Sequence, residues 1–579
     1  MTVLADARRI GDCLNFWAGR SPDAEALVSG GTRLTYGQLS ERVSKLGRAL
    51  VATGVDRGDR VVVVYPPGLE AVTAFLAVAD IGAVFVGLNP AGTVEEWRRC
   101  LVDAQPTVIF AAGNHDGRRV AELVGPLADE LARACHPCRL VGFDRMVGSA
   151  SGARLQGFIE TGGEVSESVW MARREQVEPG DPALIVYTSG STGRPKGAVL
   201  THRSTLAGMT AQARHLGLDS TSRSLMHIPI SHFGSVGNVL LSTLVAGGTV
   251  CVLERFTPRS TLELIERERV TVWGQVPTMF LMQLALADFD TFDLSSVSTV
   301  FFSGSAIPAE TVRRLSRLGA TLFTGYGGTE MSGPVSLSDP DATPAELCET
   351  VGVPLPEFEV AIFTGDGRPA GQGTVGEVCV RGACVFAGYH RDPEASAAVL
   401  DRDGWYHSGD LGLIDSGGRL RLVGRLGDGF RSGGVTVYPR EIELVLEQHP
   451  AVAAACVVDV ADPLFQHVAH GFVVATPGAE PDPDEIQEHC RERLINYKVP
   501  KTVRVLDELP TLAVGKIDRA ALRRLAQTAV QQYPKRLLAL PEPIACPIRS
   551  KETPSMTAEA ARQHRTGRRR GGDAEWTPV

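Results

Sequence analysis

The stretch from Arg60 to Pro90 constrains the fold of this chain most strongly. It consists of an apolar run, RVVVVY, a helix-like segment, EAVTAFLAVADI, and a second apolar run, AVFVGL. Because apolar residues fill nearly every position of the two runs, rather than alternate positions, both are typical of strands buried on two faces of a parallel sheet. The stretch therefore predicts a βαβ unit, and strand and helix patterns continue to alternate in α/β fashion as far as the segment TLFTGYGGTE.

The length and charge of the chain limit its organisation and its partners. With 579 residues, the chain exceeds what one hydrophobic core usually sustains, so we expect at least two domains. A net charge of -9 and a pI near 5.9 give no electrostatic reason to expect nucleic acid or an anionic membrane as a partner. No apolar run approaches the roughly 18 residues of a membrane span. We therefore expect small-molecule partners, no nucleic acid and no membrane span.

The eleven cysteines are scattered at irregular spacing. The sequence opens MTVLADARRI, without the charged start and apolar core of a signal peptide, so we expect reduced thiols and a cytoplasmic location. One close pair exists, Cys135 and Cys138, with His136 between them. A zinc site would need a second pair at a suitable spacing, and the sequence has none, so this pair does not favour metal binding.

The composition changes after about residue 345. The next segment, 352–412, is rich in glycine, proline and short β-type runs, which indicates a smaller β-rich unit. Residues 430–525 have the pattern of a compact α+β domain, whereas the residues from about 531 onward lose periodicity. We therefore predict an α/β protein in three parts: a large N-terminal domain of α/β sheets plus a β-rich subdomain (1–427), a small α+β C-terminal domain (428–530) and a disordered tail (531–579).

The segment Tyr187–Gly197, YTSGSTGRPKG, packs hydroxyls, glycines and a lysine into one polar loop. Glycines let backbone N–H groups approach a ligand, and the hydroxyls and Lys196 add donors for oxyanions, so the loop is suited to a polyphosphate. Its composition alone is equally typical of a surface turn. The spacing of its glycines and lysine, and the extended AVL that follows, differ from a Walker P-loop, which runs directly into a helix.

The longer segment YTSGSTGRPKGAVLTH resembles the phosphate-loop signature of adenylate-forming enzymes, the superfamily of acyl-CoA synthetases, luciferases and nonribosomal peptide adenylation domains. Further motifs of this superfamily follow in order across roughly residues 30–525. They are SGSA from Ser303, GYGGTE from Gly325, GEVCVRG from Gly376, WYHSGDLG from Trp405, GRLGDGFRSGGVTVYPREIE from Gly424 and GKIDR from Gly515. The chain is therefore identified as a member of the superfamily, of the acyl-CoA synthetase or AMP-dependent ligase type.

The resemblance implies that ATP, Mg²⁺ and coenzyme A are used, and it assigns residues to the nucleotide. Asp410, with Arg425 alongside, would bind the ribose hydroxyls, and Glu330 would help to hold Mg²⁺. The loop residues expected to hold the β- and γ-phosphates are Thr188, Ser189, Gly190, Ser191, Thr192, Gly193 and Lys196. The residues expected to line the adenine site and its surroundings are Gly304, Ser305, Ala306, Tyr326, Gly327 and Thr329.

The resemblance also implies a division of labour between two half-reactions. Lys516, on a mobile C-terminal domain, would offset negative charge where the carboxylate meets the α-phosphate of ATP, since two anions must approach each other there. The domains would rotate about a hinge that Asp428 matches. The other face of the C-terminal domain, with the segment FRSGG, would then serve thioester formation.

The acid and its acceptor remain open. Amino-acid adenylating relatives carry an aspartate in the stretch that aligns with PISHFGSVG, and this chain has no carboxylate there, so we expect a fatty or aryl acid rather than an α-amino acid. His232 matches the aromatic gate of acyl- and aryl-CoA synthetases, or is core packing, while Gly327 and Gly328 would leave space near the acyl pocket. Val435 and Thr436 depart from the pattern where the thiol should enter.

Two alternatives to a coenzyme A ligase therefore stand. One is a ligase that loads an acyl or peptidyl carrier protein, for which the basic cluster of the tail, from Arg562 to Arg570, would be a docking patch; a solvated end explains that cluster better. The other is a non-catalytic nucleotide-binding homologue, which the joint presence of Lys516, Glu330 and Asp410 disfavours.

Overall fold

A computed structural model gives the fold of most of the chain. It describes residues 7–134, 136, 138–143, 153–189, 195–305, 307–432, 435–462, 465–511 and 517–532. Residues 1–527 belong to one compact unit and residues 528–579 to a second. The second unit is described only at 528–532, so the predictions about the tail from residue 533 onward lie outside the described residues. Among the described helices, none combines the length and the apolar character that crossing a bilayer requires.

The strands, in chain order, are β1 (Glu25–Ser29), β2 (Thr32–Thr35), β3 (Arg60–Val64), β4 (Val84–Leu88), β5 (Val108–Ala111), β6 (Arg139–Gly142), β7 (Ala153–Arg154), β8 (Pro182–Ser189), β9 (Pro195–Thr201), β10 (Arg223–Met226), β11 (Thr249–Val252), β12 (Val272–Gln275), β13 (Thr299–Ser303), β14 (Thr321–Gly328), β15 (Gly333–Leu337), β16 (Val353–Pro354), β17 (Glu359–Phe363), β18 (Gly376–Arg381), β19 (Gly388–Tyr389), β20 (Tyr406–Ile414), β21 (Leu420–Arg425), β22 (Phe430–Ser432), β23 (Val435–Val437), β24 (Val452–Asp462), β25 (Gln466–Ala475) and β26 (Thr502–Leu506).

The α-helices, in chain order, are α1 (Ile10–Arg20), α2 (Tyr36–Ala52), α3 (Leu69–Asp80), α4 (Val94–Ala104), α5 (Val120–Arg133), α6 (Leu155–Glu160), α7 (Glu167–Glu175), α8 (His202–His215), α9 (Ser242–Ala246), α10 (Pro258–Glu268), α11 (Pro277–Leu284), α12 (Ala309–Ser316), α13 (Pro344–Glu349), α14 (Pro393–Ala397), α15 (Pro439–Glu447), α16 (Pro483–Arg493) and α17 (Arg519–Gln532).

The predicted βαβ unit is confirmed and lies inside an eight-stranded sheet. β3 and β4 are parallel and in register from Arg60 opposite Val84, and α3 connects them. Val61 to Val64 of β3 and every residue of β4 are buried, because the sheet is covered on both faces. The strand order is β19-β9-β8-β4-β3-β5-β6-β7, which places the β8–β9 hairpin beside β4. The sheet therefore supports the polar loop that begins at the end of β8.

A nine-stranded sheet carries the next two motifs, in the order β16-β15-β14-β13-β12-β10-β11-β1-β2. β13 and β14 are parallel, with Ser303 opposite Gly325. Because parallel strands end at the same edge of a sheet, this register brings the SGSA and GYGGTE motifs side by side. β14 then turns into a short 3-10 helix, Thr329–Met331, which carries Glu330. The register of two strands thus positions residues that lie more than twenty positions apart in the sequence.

The predicted β-rich subdomain is confirmed as a four-stranded antiparallel sheet of order β17-β18-β20-β21. In the pairing of β20 with β21, Asp410 lies directly opposite Arg425. Two residues from separate motifs therefore become cross-strand neighbours, as antiparallel partners do on one face of a sheet.

Residues 430–527 form a smaller α+β region. Its sheet runs β23-β22-β25-β24, with β26 parallel to β25, and α15 and α16 belong to the same region. Buried residues of this region alone make a core cluster, which includes Phe430, Ile442 and Leu446. The predicted fold class, a large α/β part with a β-rich subdomain and a small α+β part, is therefore confirmed. The division at residue 428 and the mobility of the small part stay predictions.

Candidate active site

The segment predicted to bind phosphate connects β8 to β9, two antiparallel neighbours. Thr188 and Lys196 face each other across the two strands as register partners. The loop leads into an extended strand rather than a helix, in agreement with the difference from a Walker P-loop. Gly190, Ser191, Thr192 and Gly193 lie outside the described residues, and Ser189 is described only in its backbone. Their predicted contacts with phosphate stay predictions.

Glu330 points at this hairpin. Its Oε1 accepts hydrogen bonds from the Thr188 hydroxyl, at 3.5 Å, and from the Tyr389 hydroxyl, at 3.0 Å. Burial and the charge of Glu330 raise the pKa of Tyr389, so its phenol stays protonated and donates. The Lys196 ammonium lies 5.1 Å from the centre of the Tyr389 ring, a cation–π distance. Two hydroxyls, a carboxylate and an ammonium therefore converge at the foot of the loop.

This donor set fits a magnesium ion bound together with phosphates. Mg²⁺ prefers one or two carboxylates plus phosphate oxygens and water, rather than a cage made entirely of protein groups. Glu330 supplies such a carboxylate beside the loop, and among the described residues its neighbours within hydrogen-bond distance are neutral hydroxyls. Because these hydrogen-bond partners carry no charge, they leave the charge of Glu330 available for a cation. The residues present therefore fit the predicted metal.

Asp410 lies in a different surrounding. Its Oδ2 accepts a hydrogen bond of 2.7 Å from the Tyr326 hydroxyl, and its Oδ1 accepts one of 2.6 Å from Arg425 Nε. Burial and the charge of Asp410 raise the pKa of Tyr326 well above its ordinary value, so this phenol is a permanent donor. The carboxylate is fixed by two donors while lone pairs remain on both oxygens, which suits an acceptor for two neighbouring hydroxyls.

The glycines of this region have two different roles. Gly304 has a φ of +89°, which favours glycine, and turns the chain sharply where β13 ends. Gly304 and Ser305 are exposed at that edge, while Ala306 lies outside the described residues. A Cβ atom on Gly327 would lie 2.0 Å from the carbonyl oxygen of Gly333. The interpretation that Gly327 leaves space for an acyl group is therefore wrong on the side where its Cβ would lie. The backbone of the neighbouring strand β15 occupies that space instead.

His232 lies in the turn before a π-helix, Gly234–Leu241. Its Nδ1 accepts a hydrogen bond from the Gly234 N–H at 3.0 Å, so the ring folds back on its own turn. π-Helices are uncommon and occur frequently at functional sites. The geometry thus explains how the ring is held, and its role as a gate stays a prediction. Thr329 lies in the 3-10 turn beside Glu330, and Lys516 lies outside the described residues.

One contributor to the site has no signal in its local sequence. Tyr389 forms part of β19, a two-residue strand that pairs with β9, with Tyr389 opposite Ala198. This pairing brings its hydroxyl to Glu330, from which it is separated by 59 positions. A single GY pair in a loop-rich segment gives no pattern from which such a contact could be found.

Comparisons with known proteins match most of the chain to two family models and to several similar proteins. Residues 14–390 match the family model of the AMP-binding enzyme, and residues 441–516 match that of the AMP-binding enzyme C-terminal domain. The chain is 37% identical over 507 residues to a feruloyl-CoA synthase of Amycolatopsis sp., covering 88% of this chain and 97% of that protein. It is 35% identical over 525 residues to a (methyl-dioxo-octahydroindenyl)propanoyl:CoA ligase of Mycobacterium tuberculosis, covering 90% and 100%. The crystal structure of an anthranilate CoA ligase in complex with anthranoyl-AMP superposes with a TM-score of 0.78 at 25% identity, over 90% of this chain and 98% of that one.

Proposed function

Because this chain belongs to the AMP-binding enzyme family, we propose that Glu330 and Thr188 mark the phosphate end of an ATP site and that Asp410 and Arg425 mark its ribose end. The predicted activity is confirmed: the protein is an AMP-forming acid–thiol ligase that uses ATP and coenzyme A. The individual residue roles and the identity of the acid are proposals.

One observation carries the placement of ATP. Tyr326 and Glu330 lie four positions apart at the end of β14. Tyr326 contacts Asp410 at the proposed ribose end of the ATP site, and Glu330 contacts Tyr389 at its proposed phosphate end. Tyr326 donates to the carboxylate that suits a ribose, while Glu330 accepts from a hydroxyl of the phosphate loop. A nucleotide laid along the end of this strand would therefore have its ribose at Asp410 and its phosphates at Glu330.

The residues of the site supply positioning and charge rather than proton transfer. An ionised carboxylic acid is already a nucleophile, so its oxygen forms a bond to the α-phosphorus while the bond to pyrophosphate breaks, and no general base is required. Glu330 and the Thr188 hydroxyl would hold Mg²⁺, which, when bound, neutralises charge on the phosphate oxygens. Tyr389 keeps Glu330 in place, and the Lys196 ammonium adds positive charge at the same end.

The second half-reaction breaks the new acyl–phosphate bond. The sulfur of coenzyme A forms a bond to the acyl carbon, AMP leaves, and the thiol proton is released. We propose that Lys516 serves only the first half-reaction and that the part of the chain from residue 428 moves between the two about Asp428. The separate core of residues 430–527 supports this proposal, because a part that moves as a body needs internal packing of its own.

We propose a ring-bearing carboxylic acid as the substrate. Ser231, His232 and Phe233 offer no carboxylate to an ammonium group, which argues against an α-amino acid. Feruloyl, indenyl-propanoyl and anthranoyl groups, the acyl groups named for the relatives above, all carry rings. A fatty acid is the alternative substrate, and a carrier-protein phosphopantetheine is the alternative acceptor. The cysteines of the described residues are free thiols, which supports a reducing compartment such as the cytoplasm.

ATP–pyrophosphate exchange across aryl, saturated-ring, fatty and small branched acids tests this proposal. We expect exchange with at least one ring-bearing acid, followed by thioester formation with coenzyme A. Exchange with fatty acids alone would contradict the proposed substrate class, and thioester formation with a holo carrier protein alone would contradict the acceptor. A protein that binds ATP but catalyses no exchange with any acid would contradict the activity itself.

A further inference from the structure

A histidine that is not part of the predicted site lies three residues before Asp410. His407 belongs to β20, and both nitrogens of its ring face carboxylates. Nδ1 lies 2.9 Å from Glu377 Oε2 of β18, and Nε2 lies 3.5 Å from Asp401 Oδ2 in the turn before β20. Among the described residues, the Cys379 thiol of β18 also lies beside the ring, with its Sγ 3.3 Å from Nδ1. From β17, Phe363 contributes only an uncharged aromatic ring.

This surrounding favours the charged form of the ring. Partial burial alone would lower the pKa of His407, but the hydrogen bonds and charges of Glu377 and Asp401 outweigh it and raise that pKa. Burial and the neighbouring carboxylates raise the pKa of the Cys379 thiol to about 12, so the thiol is neutral near pH 7. His407 is therefore an imidazolium between two carboxylates over more of the neutral range than an exposed histidine.

Glu377 links His407 to the residues beside Asp410. While its Oε2 pairs with His407, its Oε1 accepts the N–H of Gly409 at 2.9 Å. Gly409 has a φ of +73°, so its peptide is turned in a way that favours glycine. The next N–H, that of Asp410, is bound by the Ser408 hydroxyl, which in turn donates to the Val378 carbonyl. Hydrogen bonds to β18, one of them through the Ser408 hydroxyl, thus fix the Gly409 and Asp410 N–H groups and with them the orientation of the Asp410 side chain.

We propose that His407 is a positioning residue for ATP: by pairing with Glu377 it fixes the acceptor of the Gly409 N–H and so aims Asp410 at the ribose hydroxyls. This inference rests on the proposed function, since it acts through the contact of Asp410 with the nucleotide. The direction in which ATP affinity changes with pH follows from the charge of His407. The pairing of imidazolium with carboxylate is complete below the pKa of His407 and is lost as the pH rises through it. ATP binding therefore weakens on the alkaline side.

His407→Gln tests the inference, with ATP and 2′,3′-dideoxy-ATP as paired ligands. Calorimetry from about pH 6 to about pH 9 spans the titration of an imidazole. We expect the variant to bind ATP about fivefold more weakly, the scale of one weakened hydrogen bond, but to bind the dideoxy compound as the wild type does. We also expect a raised KM for ATP at nearly unchanged kcat, and a flatter pH dependence. His467→Gln is the control, because it removes another histidine beside an aspartate, His467 Nδ1 lying 4.0 Å from Asp459 Oδ2 in a different sheet.

Asp401→Asn provides a milder test. It keeps the Asp401 oxygen that accepts two backbone N–H groups, but it removes one of the two charges that raise the pKa of His407. The alkaline weakening of ATP binding should therefore move to lower pH. Equal loss of affinity for ATP and dideoxy-ATP in His407→Gln, or an unmoved pH profile in Asp401→Asn, would overturn the inference. Neither result would affect the acid–thiol ligase activity, which is contradicted separately if the wild type shows no pyrophosphate exchange with any acid.

Discussion

The two ends of the proposed nucleotide site use the same functional group in different surroundings. Glu330, at the phosphate end, accepts hydrogen bonds from neutral hydroxyls, whereas Asp410, at the ribose end, is paired with a guanidinium and a phenol. A carboxylate without a paired cation keeps its charge for a metal ion. A carboxylate already neutralised is a poor metal ligand but a well-oriented acceptor for hydroxyls. From these surroundings, rather than from the residue types, we propose that the metal binds at Glu330 and the sugar at Asp410.

Lys516→Ala should reduce activity more than any other substitution below. It should leave both ends of the proposed nucleotide site intact. We expect acyl-adenylate formation to fall about 1,000-fold, because a cation that stabilises charge at the reacting atoms is lost. Thioester formation from a supplied acyl-adenylate should be nearly unchanged. Separate assays of the two half-reactions check this prediction, with Lys501→Ala as a control for the loss of a lysine in the same region. Equal losses in both half-reactions would refute the division of labour.

Glu330→Gln should cause the second largest loss of activity. Removing the Glu330 charge should lower pyrophosphate exchange about 100-fold at ordinary Mg²⁺ concentrations, since the proposed metal would lose its protein carboxylate. Exchange measured over a Mg²⁺ titration should recover partly at high metal concentration. Glu357→Gln is a matched control, because Glu357 pairs with Arg214 at the surface. A variant whose exchange is reduced but whose dependence on Mg²⁺ matches the wild type would show that Glu330 does not hold the metal.

Asp410→Asn should have a smaller and different effect. An amide keeps one acceptor oxygen but loses the charge, so we expect KM for ATP to rise about tenfold. Steady-state kinetics with ATP and with 2′-deoxy-ATP check whether the loss concerns the sugar. Discrimination between these two nucleotides that stays at the wild-type level would argue against Asp410 as the ribose acceptor.

Tyr389→Phe should produce the smallest change. It removes the 3.0 Å hydrogen bond that holds Glu330 but keeps the ring beside Lys196. The apparent affinity for Mg²⁺ in the exchange assay should fall about threefold, with little change in KM for ATP. Tyr497→Phe, in the small α+β region, serves as the matched control. An unchanged affinity for Mg²⁺ would mean that Glu330 holds its position without this contact.

The sequence predicts those parts of the site that lie within single motifs. Thr188, Glu330, Asp410 and Arg425 each belong to a contiguous motif to which the resemblance to adenylate-forming enzymes assigns a role, and the ordered set of motifs makes that resemblance specific. The βαβ unit is equally local, because a strand, a helix and a strand follow one another directly. The facing of Asp410 and Arg425, in contrast, is set by the register of β20 with β21, which joins two motifs.

Contacts set by long-range pairing could not be predicted. Tyr389 reaches Glu330 only because β19 adds to β9, and His407 meets Glu377 only because β18 and β20 are antiparallel neighbours. Sheet order has the same origin: β1 and β2 join the nine-stranded sheet beside β11, more than two hundred residues away. The surroundings of Gly327 have a related origin, since the backbone that a Cβ atom there would meet belongs to the neighbouring strand β15.

The central claim, that one end of the site holds the metal and the other the sugar, is tested most directly by a crossed binding experiment. ATP and 2′,3′-dideoxy-ATP are titrated by calorimetry, with and without Mg²⁺, into the wild type, Glu330→Gln and Asp410→Asn. We predict that Glu330→Gln loses the enhancement by Mg²⁺ but still distinguishes the two nucleotides, whereas Asp410→Asn keeps the enhancement and no longer distinguishes them. If either variant lost both properties, or if the two losses were exchanged, this assignment would be contradicted.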